Sequence, residues 1–406
     1  MDIAVLNRAV EDAAALRRRQ RLQPAGGRGE KIFPPTYPGE RGTPTHVFER
    51  RRLEGEDRVC VLVDSVQSQA NRLEEALLAA AETGAIRLPR LVVDFSAAGL
   101  NAVGQISDLQ APHRVFDAIL RDSKLGGARL LDSDLGQRLR KATPADASAL
   151  LEASPASLLF GAWNSTGEGG GLGAKFARVL VSEVIGVDVP VEEVRDGREG
   201  RLELRNAGRR PSSRIDPLGI PRSIEIYTDG ANWDLDPAKL GDKTKKVRPS
   251  EINHGNIAPS VQELGVTCDY ALQTQVLSFA GLRRLRFGND AARDRAARAW
   301  LAALGLVAMI EGNRQGMALR SRCDLVCEGG LAPIEIVGFD GEAVTVAISP
   351  EEACALAEAA FEAARAAGFA LDATPRLLQP QEKLLELVRL SQQRALGGEG
   401  MADEPE

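Results

Sequence analysis

Between residues 58 and 95 the chain spells out a strand, a helix and a second strand, and every fold considered for it must accommodate that unit. Arg58–Val63 is a nearly continuous apolar run, preceded by Arg50-Arg51-Arg52. In the next segment, Val66–Ala81, the residues Val66, Ala70, Leu73 and Leu77 keep helical spacing. Leu88-Pro89 then opens a second strand, Arg90–Phe95.

Elsewhere the pattern is patchier. Residues 2–21 read as an amphipathic helix ending in Arg17-Arg18-Arg19, and residues 22–45, rich in Gly and Pro, as an extended arm. Residues 96–156 alternate polar loops with short helices. Ser157–Trp163 reads as a short apolar strand, Gly167–Gly173 as a loop, and Ala174–Ile185 as a helix. Residues 187–259 are polar and short of core residues. Gly265–Phe287 is apolar again, with strand and helix both open. A helix is expected over Ala291–Leu304 with Asp290 as N-cap, strands over Arg320–Cys327 and Ala343–Ala347, and a helix over Ser349–Ala367 with a Ser349/Glu352 capping box.

Composition narrows the class. Of 406 residues, 44% are hydrophobic and only 4% aromatic, so a core must be built from aliphatic side chains and Ala. The net charge of −6 argues mildly against a nucleic-acid binder, but it averages over patches: Gly281–Arg322 carries nine arginines against Asp290, Asp294 and Glu311. Five scattered cysteines suit free thiols in a reducing compartment. No secretory signal and no apolar run of about 18 residues is visible, which predicts a soluble, cytoplasmic protein without membrane contact.

Four constellations carry candidate chemistry. In Asp64–Glu74, Ser65, Ser68 and Arg72 share a helix face, with Gln67 and Asn71 nearby. A helix start behind a strand suits a phosphate, although Ser65 is equally a plain N-cap. In Trp163–Phe176, strand, glycine loop and helix would cradle a phosphate, with Asn164, Ser165, Gly171, Gly173, Lys175 and Arg178 as contacts and Ser182 on the same helix face. Ala174 between Gly173 and Lys175 excludes a Walker A loop, and a tight turn is the alternative. The run Leu282–Phe287 would turn its leucines inward and Arg283, Arg284 and Arg286 outward, either into a phosphate groove or to solvent. Lys245 and Lys246 precede Asn253 and His254 in a fourth patch.

Metal, cofactor and catalytic readings fare poorly. Cys323 and Cys327 lack a second ligand pair nearby, and none of the three histidines, His46, His113 and His254, sits in a catalytic motif. No metal, no cofactor and no catalytic residue is expected.

Taken together and in order, Val63–Glu74, Ala111-Pro112-His113-Arg114, Leu159–Gly167, Gly170–Phe176, Ser250–Asn256 and Leu282–Phe287 resemble the backbone subunit of type I-G (formerly I-U) CRISPR Cascade complexes, the Csb family of the RAMP superfamily. The resemblance spans about residues 45–370. It implies an α/β (α+β) fold with a ferredoxin-like (RRM-like) palm, an inserted helical subdomain and a projecting thumb. The parts would be an N-terminal helix and arm (1–45), palm (46–95), helical insert (96–156), palm (157–189), thumb (190–259), palm completion with C-terminal helices (260–395) and an acidic disordered tail (396–406). Only composition places the thumb. The resemblance further implies a non-catalytic subunit that polymerises along CRISPR RNA, meets the target DNA strand through guide pairing and contacts other Cascade subunits. The alternatives are a guide-processing endonuclease using His254 or His113, a nucleotide-binding enzyme using the Gly167–Gly173 loop, and a scaffold without nucleic acid.

Overall fold

The computed structural model describes all residues except 40–43, 165–172, 196–201, 207–209, 242, 256, 315 and 397–406. It divides into two units. The first comprises Met1–Pro38, His46–Pro190 and Val266–Gln381. Its principal elements begin with α1 (Ile3–Asp12), β1 (Ala15–Pro24), β2 (Phe48–Leu53), β3 (Glu56–Asp64), α2 (Val66–Glu82) and β4 (Leu91–Asp94). Next come α3 (Pro155–Phe160), β5 (Leu180–Val187), β6 (Tyr270–Ser278), α4 (Phe279–Arg283) and α5 (Ala291–Arg314). The last are β7 (Met317–Arg320), β8 (Cys323–Cys327), β9 (Ile334–Val337), β10 (Ala343–Val346), α6 (Pro350–Ala366) and β11 (Arg376–Pro380).

The chain is a mixed helix and strand fold, as expected. Its main sheet is antiparallel and runs β7-β8-β1-β6-β5-β3-β2, with the β9–β10 hairpin attached to β1. The connection from β1 to β5 contains α2, and that from β6 to β8 contains α5. Strands β1, β5, β6 and β8 therefore follow a β–α–β–β–α–β path with the fourth strand beside the first. The β2–β3 hairpin widens the edge beside β5. Helices α2 and α5 pack on each other and against the sheet, and α1 and α6 pack on α5.

The inner sheet face explains the register. Leu16, Leu277 and Leu180 form one rung across β1, β6 and β5, and all are buried. The next rungs are polar: Arg18 beside Gln275 and Ser182, then Gln20 beside Gln273 and Val184. These groups bond to one another, although Gln275 Nε2 and Asn313 Oδ1 find no partner among the described residues. Gln69 of α2 accepts from Ser182 Oγ at 2.7 Å and from Gln273 Nε2 at 2.8 Å, and Asn313 of α5 donates to Gln273 at 2.7 Å. Arg18 donates to Gln275 at 2.9 Å and to the Met309 carbonyl, and burial pulls its pKa down to about 10. A buried amide chain thus joins both helices to the sheet.

Three expectations need correction. The helix expected over 2–21 stops at Asp12, and Ala15–Pro24 is a strand. Leu16, Arg18, Gln20 and Leu22 alternate inward, so the basic run splits: Arg17, Arg19 and Arg21 face out while Arg18 is buried. Ser157–Trp163 is mainly the end of helix α3, whose six residues are all buried. A short apolar run has no periodicity to separate the two states. Ala174–Ile185 is not a helix: Lys175–Phe176 is one arm of a hairpin and Leu180–Val187 is strand β5, paired on both sides. Its Val181, Val184, Ile185 and Val187 suit a pleated surface. Strands β3 and β4, the two strands of the opening strand–helix–strand unit, lie in different sheets. Strand β4 pairs in parallel with β11 and antiparallel with Gln105–Ser107.

Within Gly265–Phe287 the chain is strand β6 followed by helix α4. Around α6 the Ser349/Glu352 capping box forms, and Asp290 accepts from the Ala292 amide at 2.7 Å as α5 begins. Among the described residues no helix is long and apolar enough to cross a membrane.

The second unit comprises Gly39–Thr45, Val191–Gly265 and Glu382–Glu406. It contains the hairpin Val191–Arg195/Leu202–Asn206, the pair Arg210–Arg214/Ile257–Gln262 and a three-stranded sheet ordered Trp233–Asp234, Ile226–Thr228, Lys245–Val247. Helix Glu382–Leu396 ends at the first residue of the expected acidic tail, whose remaining residues lie outside those described.

Candidate nucleic-acid interface

The start of α2 is capped by Ser65, whose Oγ accepts from the Ser68 amide at 3.3 Å. Gln67 and Asn71 are exposed, and Ser65 and Ser68 are half-buried. Arg72 is engaged internally. It donates to Asp64 at 3.0 Å and to the carbonyls of Ala318 and Leu319 at 3.3 and 2.7 Å. Asp64, fully buried, also accepts from Gln69 Nε2 at 2.6 Å and Arg320 Nη2 at 3.0 Å. The sequence offers Arg72 as a surface cation; the fold uses it to fasten α2 to the end of β7.

The second constellation folds as a hairpin root. Ala162–Trp163 pairs with Lys175–Phe176, and Trp163 lies directly across from Lys175. Ala162 and Phe176 are buried, while Trp163 and Lys175 are exposed. The Lys175 ammonium sits 5.4 Å from the indole centroid, within cation–π range. The strands pinch tightly beyond the pair, since a Cβ on Gly173 would meet the Asn164 carbonyl at 2.2 Å. Asn164 is half-buried. Ser165 and Gly171 lie outside the described residues.

Arg178 draws these pieces together. It donates to the Phe160 carbonyl at 3.1 Å and to the Val66 carbonyl in the first turn of α2 at 3.2 Å. Between them the chain turns at Gly161, with φ +86, a conformation that favours glycine. The Gly161 carbonyl accepts from Arg114 at 3.0 Å, and Arg114 itself is held at φ +53 by a bidentate pair with buried Glu74 at 2.6 and 2.9 Å. The segment Arg114–Phe116 packs on Ala162–Trp163. So the α2 start, the Gly161 turn and the Trp163–Lys175 pair share one framework. Of its residues, Gln67, Asn71, Trp163 and Lys175 are exposed, and Ser65, Ser68 and Asn164 are half-buried.

This framework has a pH signature. Burial pushes the Glu74 carboxyl up to about 7 against the pull of Arg114, and burial pushes fully buried Asp108 up to about 6. Both folded values lie above the ordinary carboxylate range, so the native state binds more protons than the unfolded chain between about pH 4 and pH 7. Unfolding free energy from this source should therefore fall as pH rises through that window. Denaturant melts at pH 5, 6 and 7 will show it, and Glu74→Gln should flatten the trend.

The remaining cations are placed differently. Arg283 donates to the carbonyls of Val10, Glu11 and Ala13 at 2.5, 3.3 and 2.9 Å and so caps the end of α1, where positive charge is favoured. Arg286 pairs with Asp294 of α5, while Arg284 is exposed with no ion pair among the described residues. Leu282, Leu285 and Phe287 are buried beneath them. Ser182, read as a helix-face residue, is buried in the amide chain. In the second unit Lys246 pairs with Glu225, Lys245 is exposed, Asn253 sits at φ +61, and His254 packs edge-on against Trp233 at 5.8 Å.

Residues 16–191 match the model of the family described as CRISPR-associated protein GSU0053. That match supports a CRISPR-associated protein. No curated protein matches the chain. The matched stretch contains the whole Arg178 framework and ends before the Lys245-Lys246 and Leu282–Phe287 patches.

Proposed function

We propose that this CRISPR-associated chain is a non-catalytic, RNA-binding backbone subunit of a type I effector (Cascade) complex, of the type I-G, RAMP-superfamily kind. It holds guide RNA by the phosphate backbone, and copies of it line up along the guide beside other Cascade subunits. Target DNA is then read by pairing with the guide rather than by the protein. The observation that carries this reading is the Arg178 framework. It joins a capped helix start, exposed amide side chains, an aromatic ring and an exposed lysine within the segment that matches the CRISPR-associated family. Hydroxyls, amides and one cation make contacts that do not select bases, which suits a guide of varying sequence.

A nucleotide-binding enzyme is disfavoured, because the glycine-rich stretch connects two strand arms rather than opening a helix. Assembly tests the proposal. Size-exclusion with light scattering should show complex mass rising stepwise with RNA length, as copies add head to tail. A constant one-to-one mass on RNAs of increasing length would contradict it.

A further inference from the structure

The chain has three tryptophans, and they meet different fates. Trp300 is fully buried and packs edge-on against Phe361 at 5.4 Å. Trp163, by contrast, leaves 51% of its surface in solvent. Its backbone is nevertheless firmly placed: Ala162 and Phe176 beside it are buried, Gly173 is pressed against Asn164, and the adjoining Gly161 turn is tied by Arg114 and Arg178. An indole on a paired two-residue strand, with an ammonium over its ring, is a flat apolar surface next to a charge.

That pairing has a natural complement. A nucleobase offers a π-face to the indole, and its own phosphate offers an anion to the lysine. We propose that Trp163 is a stacking platform for one unpaired base of a bound single strand, and that Lys175 takes the neighbouring phosphate. This rests on the RNA-binding reading and adds to it a contact with bases that tolerates any sequence, because every base has a π-face. The occupant is a single-stranded nucleic acid rather than a protein partner because, among the described residues, the exposed ring is flanked by a cation, Lys175, and the neutral amide residue Asn164.

The test uses the full chain and two probes of equal length, an oligouridylate and its abasic counterpart, in fluorescence-anisotropy titrations. The wild type should bind the base-bearing strand about tenfold tighter than the abasic one. Trp163→Ala should abolish that preference, and Trp163→Phe should keep most of it. Lys175→Ala should weaken both probes by the same factor. If Trp163→Ala keeps the full preference, the stacking assignment is wrong while RNA binding stands. If it loses only self-association, the ring serves copies of the chain instead, and the assignment is again wrong. If the wild type binds neither probe, both readings fall together. The comparison of probes on the wild type needs no variant, so it remains informative even if Trp163→Ala folds poorly.

Discussion

Asp64→Ala should destabilise the fold by about 3 kcal/mol or more, the largest loss expected from any single substitution near the candidate site. Asp64 is fully buried and receives three donors: Gln69 Nε2 at 2.6 Å, Arg72 Nε at 3.0 Å and Arg320 Nη2 at 3.0 Å. Removing it leaves two guanidiniums and an amide without their shared acceptor. Both arginines keep carbonyl partners: Ala318 and Leu319 for Arg72, Val63 for Arg320. Those contacts neutralise no charge, so the penalty stays large. Gln69 also anchors Ser182 and Gln273, so the loss should spread into the amide chain under the sheet. Asp64→Asn keeps the shape and should cost less. Guanidinium melts will show the effect as a lower midpoint at unchanged slope. A shift equivalent to less than about 1 kcal/mol would mean that the carbonyls and solvent hold these arginines without Asp64.

The same network shows where sequence reading works and where it stops. The apolar run at 58–63 and the helical spacing after Ser65 are strong local signals, and β3 and α2 lie where they predict. Strand β1 was hidden because two of its inward positions are Arg18 and Gln20, so the usual alternation of apolar and polar residues is absent. Only tertiary partners on α5 and β6 make such a strand stable. The roles of Arg72, Arg283 and Arg286 were illegible for a related reason. An arginine bound to a distant carbonyl looks, in sequence, like one waiting for a phosphate. The exposure of Trp163 was illegible in composition, since 4% aromatics gives no sign of where a ring lies. Its setting in a polar Asn-Ser-Thr-Gly context was the available clue, because a tryptophan there has little core to enter.

Affinity for single-stranded RNA should fall steeply with salt. Each phosphate neutralised by a cation releases counterions and contributes about −0.7 to the slope of log affinity against log salt. A grip on about four phosphates would lose roughly fifty-fold between 50 and 200 mM salt. Lys175 is the cation within the Arg178 framework that no described carboxylate or carbonyl engages, so its loss should show in the slope as well as in affinity. Arg365 on α6, paired with Glu362, serves as the control. The decisive measurement is therefore a filter-binding titration of guide-length RNA at several salt concentrations with the wild type, Lys175→Ala and Arg365→Ala. A steep wild-type slope, made shallower by about one phosphate in Lys175→Ala and unchanged in Arg365→Ala, is the predicted result. Equal wild-type affinity at low and high salt would contradict a phosphate-gripping role for this chain.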